Sequence, residues 1–310
     1  MAINARPYNG IEDFHKMTHI LREGRKASRH SGYIHIGDLN WWAYYITPRH
    51  NTMNETSYIW EDDNGAVLGW SLLSPHYGLF DLFVHPDERS SERRAHMLSW
   101  TEERMIEVQR QRGKNRVGIG SLWQGDDVWM NLLAKHGYAL DTEEHQYVYM
   151  VHPLVDIPEA TLPDGFVVRS VRGEEDVEAR AEVHRAAWAR PNFESFMTAE
   201  RYREFMKAPD YRPELDIVAV APDGRFGASA MVWLDEENAL GHYEPVGTNP
   251  EFRRMGLGKA VLWEGLRRVR ALGATDATVC PLENDPVAMG LYTSAGFQPV
   301  NKIVSYTKTI

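Results

Sequence analysis

At 310 residues the chain is longer than one hydrophobic core usually serves, so two domains of about 150 residues each are expected. Its composition, 43% hydrophobic and 25% charged with no biased tract, is that of a globular protein, and a formal net charge of −10 argues against a nucleic-acid binder, which carries a basic stripe. The single cysteine, Cys280, rules out an intrachain disulfide framework and fits a reducing cytoplasm. No apolar run approaches the roughly 18 residues of a membrane span, and MAINARPYNGIEDF lacks a signal-peptide core, so a cytoplasmic protein without a membrane partner is expected.

In chain order, the first strong pattern is a β-hairpin, TSYIWEDDNGAVLGWSLLS, turning at Asn64-Gly65. A further strand, YGLFDLFVHP, ends at Pro86; an Arg-rich helix start and a long helix follow, and NLLAKHGY stops a short helix at Gly137-Tyr138. The series then recurs. LDIVAVAPDGRFGASAMVWLD turns at Pro222-Asp223-Gly224, ALGHYEPVGTNP runs to Pro250, a second Arg-rich helix start follows, and GLYTSAGF stops at Gly296-Phe297. Hairpin glycine to final glycine spans 72 residues in both copies, 65 to 137 and 224 to 296, which indicates an internal duplication. Three prolines in VHPLVDIPEATLPDG mark the joint and divide the chain into domains 1–152 and 153–310. Each unit reads as an α+β arrangement, a mixed, mostly antiparallel sheet flanked by helices. In the second unit, GLGKAVLWEGLRRVRAL carries a one-face apolar stripe of Leu257, Val261, Leu262, Leu266, Val269 and Leu272.

That helix opens in NPEFRRMGLGKAVLWE, which sets Arg253, Arg254, Gly256, Gly258 and Lys259 where its N–H groups are unpaired. Glycine lets a main chain approach a ligand closely, and a helix N-terminus favours negative charge, so the segment reads as an anion seat. A GxGxxG fingerprint would need glycine at Val261, and a Walker loop would need GxxxxGK before Ser or Thr; neither is present. A glycine-containing helix start with no ligand stands as the alternative.

Arg253-x-x-Gly256-x-Gly258, between an antiparallel strand and a helix, resembles the acyl-CoA loop of the GNAT acetyltransferase superfamily. Asn284-Asp285-Pro286-Val287-Ala288-Met289-Gly290-Leu291-Tyr292-Thr293-Ser294-Ala295-Gly296-Phe297 is similar to that family's second signature, N-x-x-A-x-x-L-Y-x-x-x-G-F. The resemblance implies two tandem GNAT-like units, an acetyl-CoA acyl donor and no metal. It implies that main-chain groups of Arg254, Met255, Gly256, Leu257, Gly258 and Lys259 hold the diphosphate, with Val246, Gly247, Thr248, Arg253 and Asn284 along the cofactor. Asn284 reads equally as a helix N-cap.

Pro245, in HYEPVGT, cannot donate to a ladder, so a bulge or a parting of strands is expected there. In the family the pantetheine arm lies in that parting, which leaves an N–H near Val246 to donate to the thioester oxygen. Tyr292 is the candidate general acid for the leaving thiolate, against the reading of a plain core aromatic. Glu244 is the candidate base for the amine, directly or through water, or a partner for a cationic substrate; a solvated strand residue is the alternative. His184, Trp188 and Trp233 are weaker candidates for the acceptor pocket, ordinary packing being the alternative. Cys280 reads as buried strand filling. His15 and His19 lie four apart with no third ligand, so a metal site is discarded.

Overlaying Pro86 on Pro250 sets Arg89 against Arg253, Glu92 against Gly256 and Arg94 against Gly258; overlaying the final glycines sets Leu133 against Tyr292. The first unit is therefore expected to keep the fold without binding CoA. Its aromatics Trp41, Trp42, Tyr44 and Tyr45 read as core packing, or as shaping a cleft or an interface with the second unit. The whole reads as an acetyltransferase acting on the primary amine of a small molecule. The alternatives are a non-catalytic acyl-CoA sensor or scaffold, a protein N-acetyltransferase, and an aminoacyl-transferase that the negative charge disfavours. The amine, the acyl length and the oligomeric state are not legible.

Overall fold

A computed structural model describes residues 3–143, 146–190 and 195–310. In chain order it contains β1 (Ile3–Pro7), α1 (Ile11–Ala27), α2 (Ile36–Trp41), α3 (Met53–Thr56), β2 (Ser57–Asp62), β3 (Val67–Ser74), β4 (Leu79–Val84), α4 (Glu92–Gln111), β5 (Arg116–Trp123), α5 (Asp127–Lys135), β6 (Ala139–Leu140) and β7 (Tyr147–His152). There follow β8 (Val167–Ser170), α6 (Val177–Trp188), α7 (Ala199–Phe205), β9 (Asp216–Val220), β10 (Phe226–Asp235), β11 (Leu240–Thr248), α8 (Leu257–Ala271), β12 (Asp276–Val279), α9 (Pro286–Ala295) and β13 (Gln298–Thr309).

Two compact units emerge, and they correct the expected division at residues 152 and 153. The first comprises the chain up to Leu39, Ile46–Val148 and Asn301–Ile310; the second comprises Asn40–Tyr45 and Tyr149–Val300. The strands of the two units follow one plan. In the first unit β1 to β4 are antiparallel neighbours, β4 pairs β5 in parallel, and Ile303–Thr309 of β13 pairs β5 antiparallel. In the second, β8 to β11 are antiparallel neighbours, β11 pairs β12 in parallel, and Met150–His152 of β7 pairs β12 antiparallel. The sixth strand place in each unit is thus filled by the last strand of the other sequence half. Physically, β5 and β12 would each expose a row of unpaired N–H and C=O groups, and any strand of suitable pattern can cover it.

Helices cover the sheets as the stripes require. Met97, Leu98 and Met105 of α4 pack on Phe80, Leu82 and Ile119 in the first unit. In the second, Leu257, Val261, Leu262, Leu266 and Val269 of α8 are buried, whereas Leu272 lies beyond the last helical residue and is exposed, which shortens the expected stripe. Helix α8 approaches its sheet closely. A Cβ at Gly265 would lie 2.5 Å from the Tyr243 hydroxyl, which itself donates to Leu262 O at 2.6 Å.

Candidate acyl-CoA site

β11 carries the irregularity that Pro245 demands. Ala230 faces Val246 but Val232 faces Tyr243, so Glu244 and Pro245 together oppose Met231 in a bulge, with a cis Glu244–Pro245 peptide. On its other side β11 pairs β12 only from Leu240 to Tyr243. From Glu244 onward the two strands part. The Asn249 N–H donates to Gly227 O at 3.0 Å, toward β10; by the alternation of an antiparallel ladder, the N–H groups of Thr248 and Val246 point away from β10, into the parting.

Next to the parting, α8 starts at Leu257 with Gly256 as its N-cap in the left-handed region, φ 81°. Arg254 also has positive φ, 63°, so the loop turns sharply twice. The first main-chain bond of the helix runs from Ala260 N–H to Gly256 O, 3.0 Å. Among the described residues, the N–H groups of residues 254 to 259 have no main-chain acceptor. That is six consecutive donors with the positive end of a 15-residue helix behind them. The two glycines have different reasons. Gly256 supplies the backbone turn, since nothing lies within 4 Å of an added Cβ, whereas a Cβ at Gly258 would meet Thr248 Oγ1 at 3.0 Å and Leu291 at 3.4 Å. Gly258 and Leu257 are buried, so only their main chain can serve a ligand. Arg253, Arg254 and Met255 are exposed, Arg253 lying 3.4 Å from Thr248 O, while Lys259 turns its ammonium over the Trp263 ring.

Tyr292 is buried on α9. Burial first, then Glu244, Asp285 and Cys280, push its phenol well above its ordinary pKa, which places all three groups within its electrostatic reach. Glu244 is half-buried between buried Tyr243 and Pro245, as the alternation of the strand requires. Cys280 is half-buried where β12 ends, not interior filling, because pairing with β11 has already stopped. Asn284 is exposed and is not the helix cap: Asp285 is, accepting from Val287 N–H (3.1 Å) and Ala288 N–H (2.9 Å). The signal for it was in the sequence, since an aspartate directly before a proline at the first helical position is a strong start.

The acceptor candidates join a packed aromatic cluster. The Trp233 indole donates to Glu244 O at 2.7 Å and holds the bulge. His184 stacks on Trp188 with centroids 4.3 Å apart, and its Nδ1 lies 2.8 Å from Ser195 Oγ. Burial, helped by Arg180 and Arg185, lowers the His184 pKa to about 3, so the ring is neutral. Trp188 lies against Gly247, where a Cβ would come within 2.5 Å of its ring. Trp41 and Tyr45 belong to this second unit, with Tyr45 stacked on Phe196 at 4.3 Å.

The first unit has the strand parting, since β4 and β5 pair only at Leu79 and Phe80, but it lacks the bulge: β3 and β4 keep one register from Gly69 to Ser74. Its helix α4 is capped by the Ser91 side chain, which accepts from Arg94 N–H at 3.2 Å. Glu92, set against Gly256 by the overlay, is exposed; buried Glu88, bound to Ser91 Oγ at 2.6 Å and to Arg93, is a second carboxylate at this helix start. Leu133 is fully buried and offers no proton.

Residues 181–297 match the model of the Acetyltransferase (GNAT) family. This segment is a GNAT acetyltransferase domain. A mycothiol acetyltransferase of Kineococcus radiotolerans is 28% identical to this chain over 255 residues, covering 79% of it and 78% of the relative. The tandem GNAT protein of the clavulanic acid biosynthesis pathway, solved without AcCoA, superposes with a TM-score of 0.67 at 15% identity, over 99% of this chain and 98% of its own. A GCN5-related N-acetyltransferase from Sphaerobacter thermophilus does so with a TM-score of 0.63 at 18% identity, over 99% and 95%. The fold is therefore that of tandem GNAT units along the whole chain, in a plan that resembles mycothiol synthase, and the chain is an N-acetyltransferase. No helix among the described residues is long and apolar enough to cross a membrane.

Proposed function

We propose that the second unit transfers the acetyl group of acetyl-CoA to the primary amine of a small molecule by direct attack, and that the first unit binds no CoA. The observation that carries this reading is the row of N–H groups of residues 254 to 259, without main-chain acceptors, beside the parting of β11 from β12. A diphosphate fits those donors, and a narrow apolar arm fits the parting. Acetyl-CoA supplies an activated acyl group. The chain's own residues do the rest. Val246 N–H, aimed into the parting, is the donor for the carbonyl oxygen as charge grows there. Glu244 takes the amine proton directly or through water, and Tyr292, kept neutral by burial, gives a proton to the leaving sulfur.

Because relatives are named mycothiol acetyltransferase, a mycothiol-type small molecule is the acceptor to assay first. A cytoplasmic location fits the presence of a single cysteine. The decisive experiment is thiol release with acetyl-CoA and an amine panel, run on wild type and Tyr292→Phe. Turnover should appear with small amines and fall in the variant while CoA affinity stays. Activity on peptides alone would point to a protein acetyltransferase; binding without any turnover would point to a sensor.

A further inference from the structure

Arg94, which the duplication sets against Gly258, is 7% exposed. Its Nη2 donates to Val128 O at 3.2 Å, and the guanidinium carbon lies 4.9 Å from the Trp129 ring centroid. Its Nε and Nη1 have no acceptor among the described residues, which leaves three N–H bonds unused. The neighbouring acids are committed elsewhere. Asp126 binds Arg89 and accepts from Trp129 N–H at 3.4 Å, and Glu88 binds Arg93 and Ser91. Burial and Arg89 weaken the hold of Arg94 on its proton, with Asp126 opposing. A buried cation with spare donors is an unfinished arrangement, and an oxyanion is the group that completes it.

The surroundings favour that charge. Arg94 is the third residue of the 20-residue α4 and reaches the second residue of α5, so its guanidinium lies between the first turns of two helices. The N–H groups of Glu92 and Arg93 have no main-chain acceptor among the described residues. We propose that the first unit carries a small-oxyanion site, which takes one phosphate- or carboxylate-sized group on Arg94 between the first turns of α4 and α5. Arg94 puts a guanidinium where the second unit has only the main chain of Gly258, so the ligand is a lone anionic group and not a nucleotide. The exposed carboxylates of Glu92 and Asp127 stand at the two helix starts and oppose a more highly charged ligand.

The test is calorimetric titration with inorganic phosphate at constant ionic strength, in a Gly256→Arg background that blocks the second-unit loop. One site per chain is expected, weakened about tenfold by Arg94→Lys, which keeps the charge but loses the guanidinium donors, and abolished by Arg94→Met. A parallel titration with acetate separates the two oxyanion sources; heat with either anion that depends on Arg94 supports the site. No heat with either anion, or heat undiminished by Arg94→Met, overturns it. Should Arg94→Met fail to fold, undiminished heat in Arg94→Lys overturns it instead.

Discussion

Burial pushes both the Tyr292 phenol and the Asp81 carboxyl upward, with different consequences. For Tyr292 the shift keeps the proton in place, and a proton donor needs to be protonated. The rate should then show no alkaline fall near the ordinary tyrosine pKa of about 10. Tyr292→Phe should lower kcat by about a hundredfold or more, within the usual range for a general acid, and leave the Kd for CoA nearly unchanged; unchanged kcat removes Tyr292 from the mechanism. Asp81 lies inside the first unit, its Oδ1 without a hydrogen-bond partner among the described residues, and burial raises its pKa to about 6, against a hydrogen bond from Ser121 that lowers it. A carboxyl raised in the folded state favours folding most below its unfolded pKa, and that contribution fades as pH rises through about 6. The loss is about 3 kcal/mol as an order of magnitude, so Asp81→Asn should flatten the rise in urea sensitivity between about pH 4 and pH 7. An identical pH slope in the variant would show that Asp81 is not its source. Neither shift was legible in the sequence, because a pKa depends on how completely neighbours exclude water.

At the scale of elements, β11 and α8 were read nearly in full. Pro245 in a strand forced a bulge, and the glycines with their cations fixed the helix start, because both are local rules of main-chain geometry. What the sequence hid was which neighbour each glycine makes room for. Gly265 stands mid-helix, where Ala is normally better by about 1 kcal/mol, yet a Cβ there would lie 2.5 Å from the buried Tyr243 hydroxyl and 2.8 Å from Val232. Gly265→Ala should therefore destabilise the protein by about 1–3 kcal/mol, the usual cost of overpacking, measured as a lower denaturation midpoint. A higher midpoint would mean that α8 can lift from its sheet without cost. The reading of Asn284 as a helix cap failed for a related reason: cap geometry decides between adjacent polar residues, and Asp285 occupies the better position.

For the whole molecule, the equal 72-residue spans revealed two units of one plan, and the structure has them. The exchange of last strands escaped the sequence, because β7 and β13 carry a pattern that suits either open edge. The two units differ where chemistry would be done: bulge, left-handed glycine and Tyr292 in one; continuous register, side-chain cap and Leu133 in the other. Calorimetric titration of the full chain with coenzyme A tests this difference most directly. The account predicts one site per chain, lost in Gly256→Arg; two sites, or binding that survives Gly256→Arg, would contradict it.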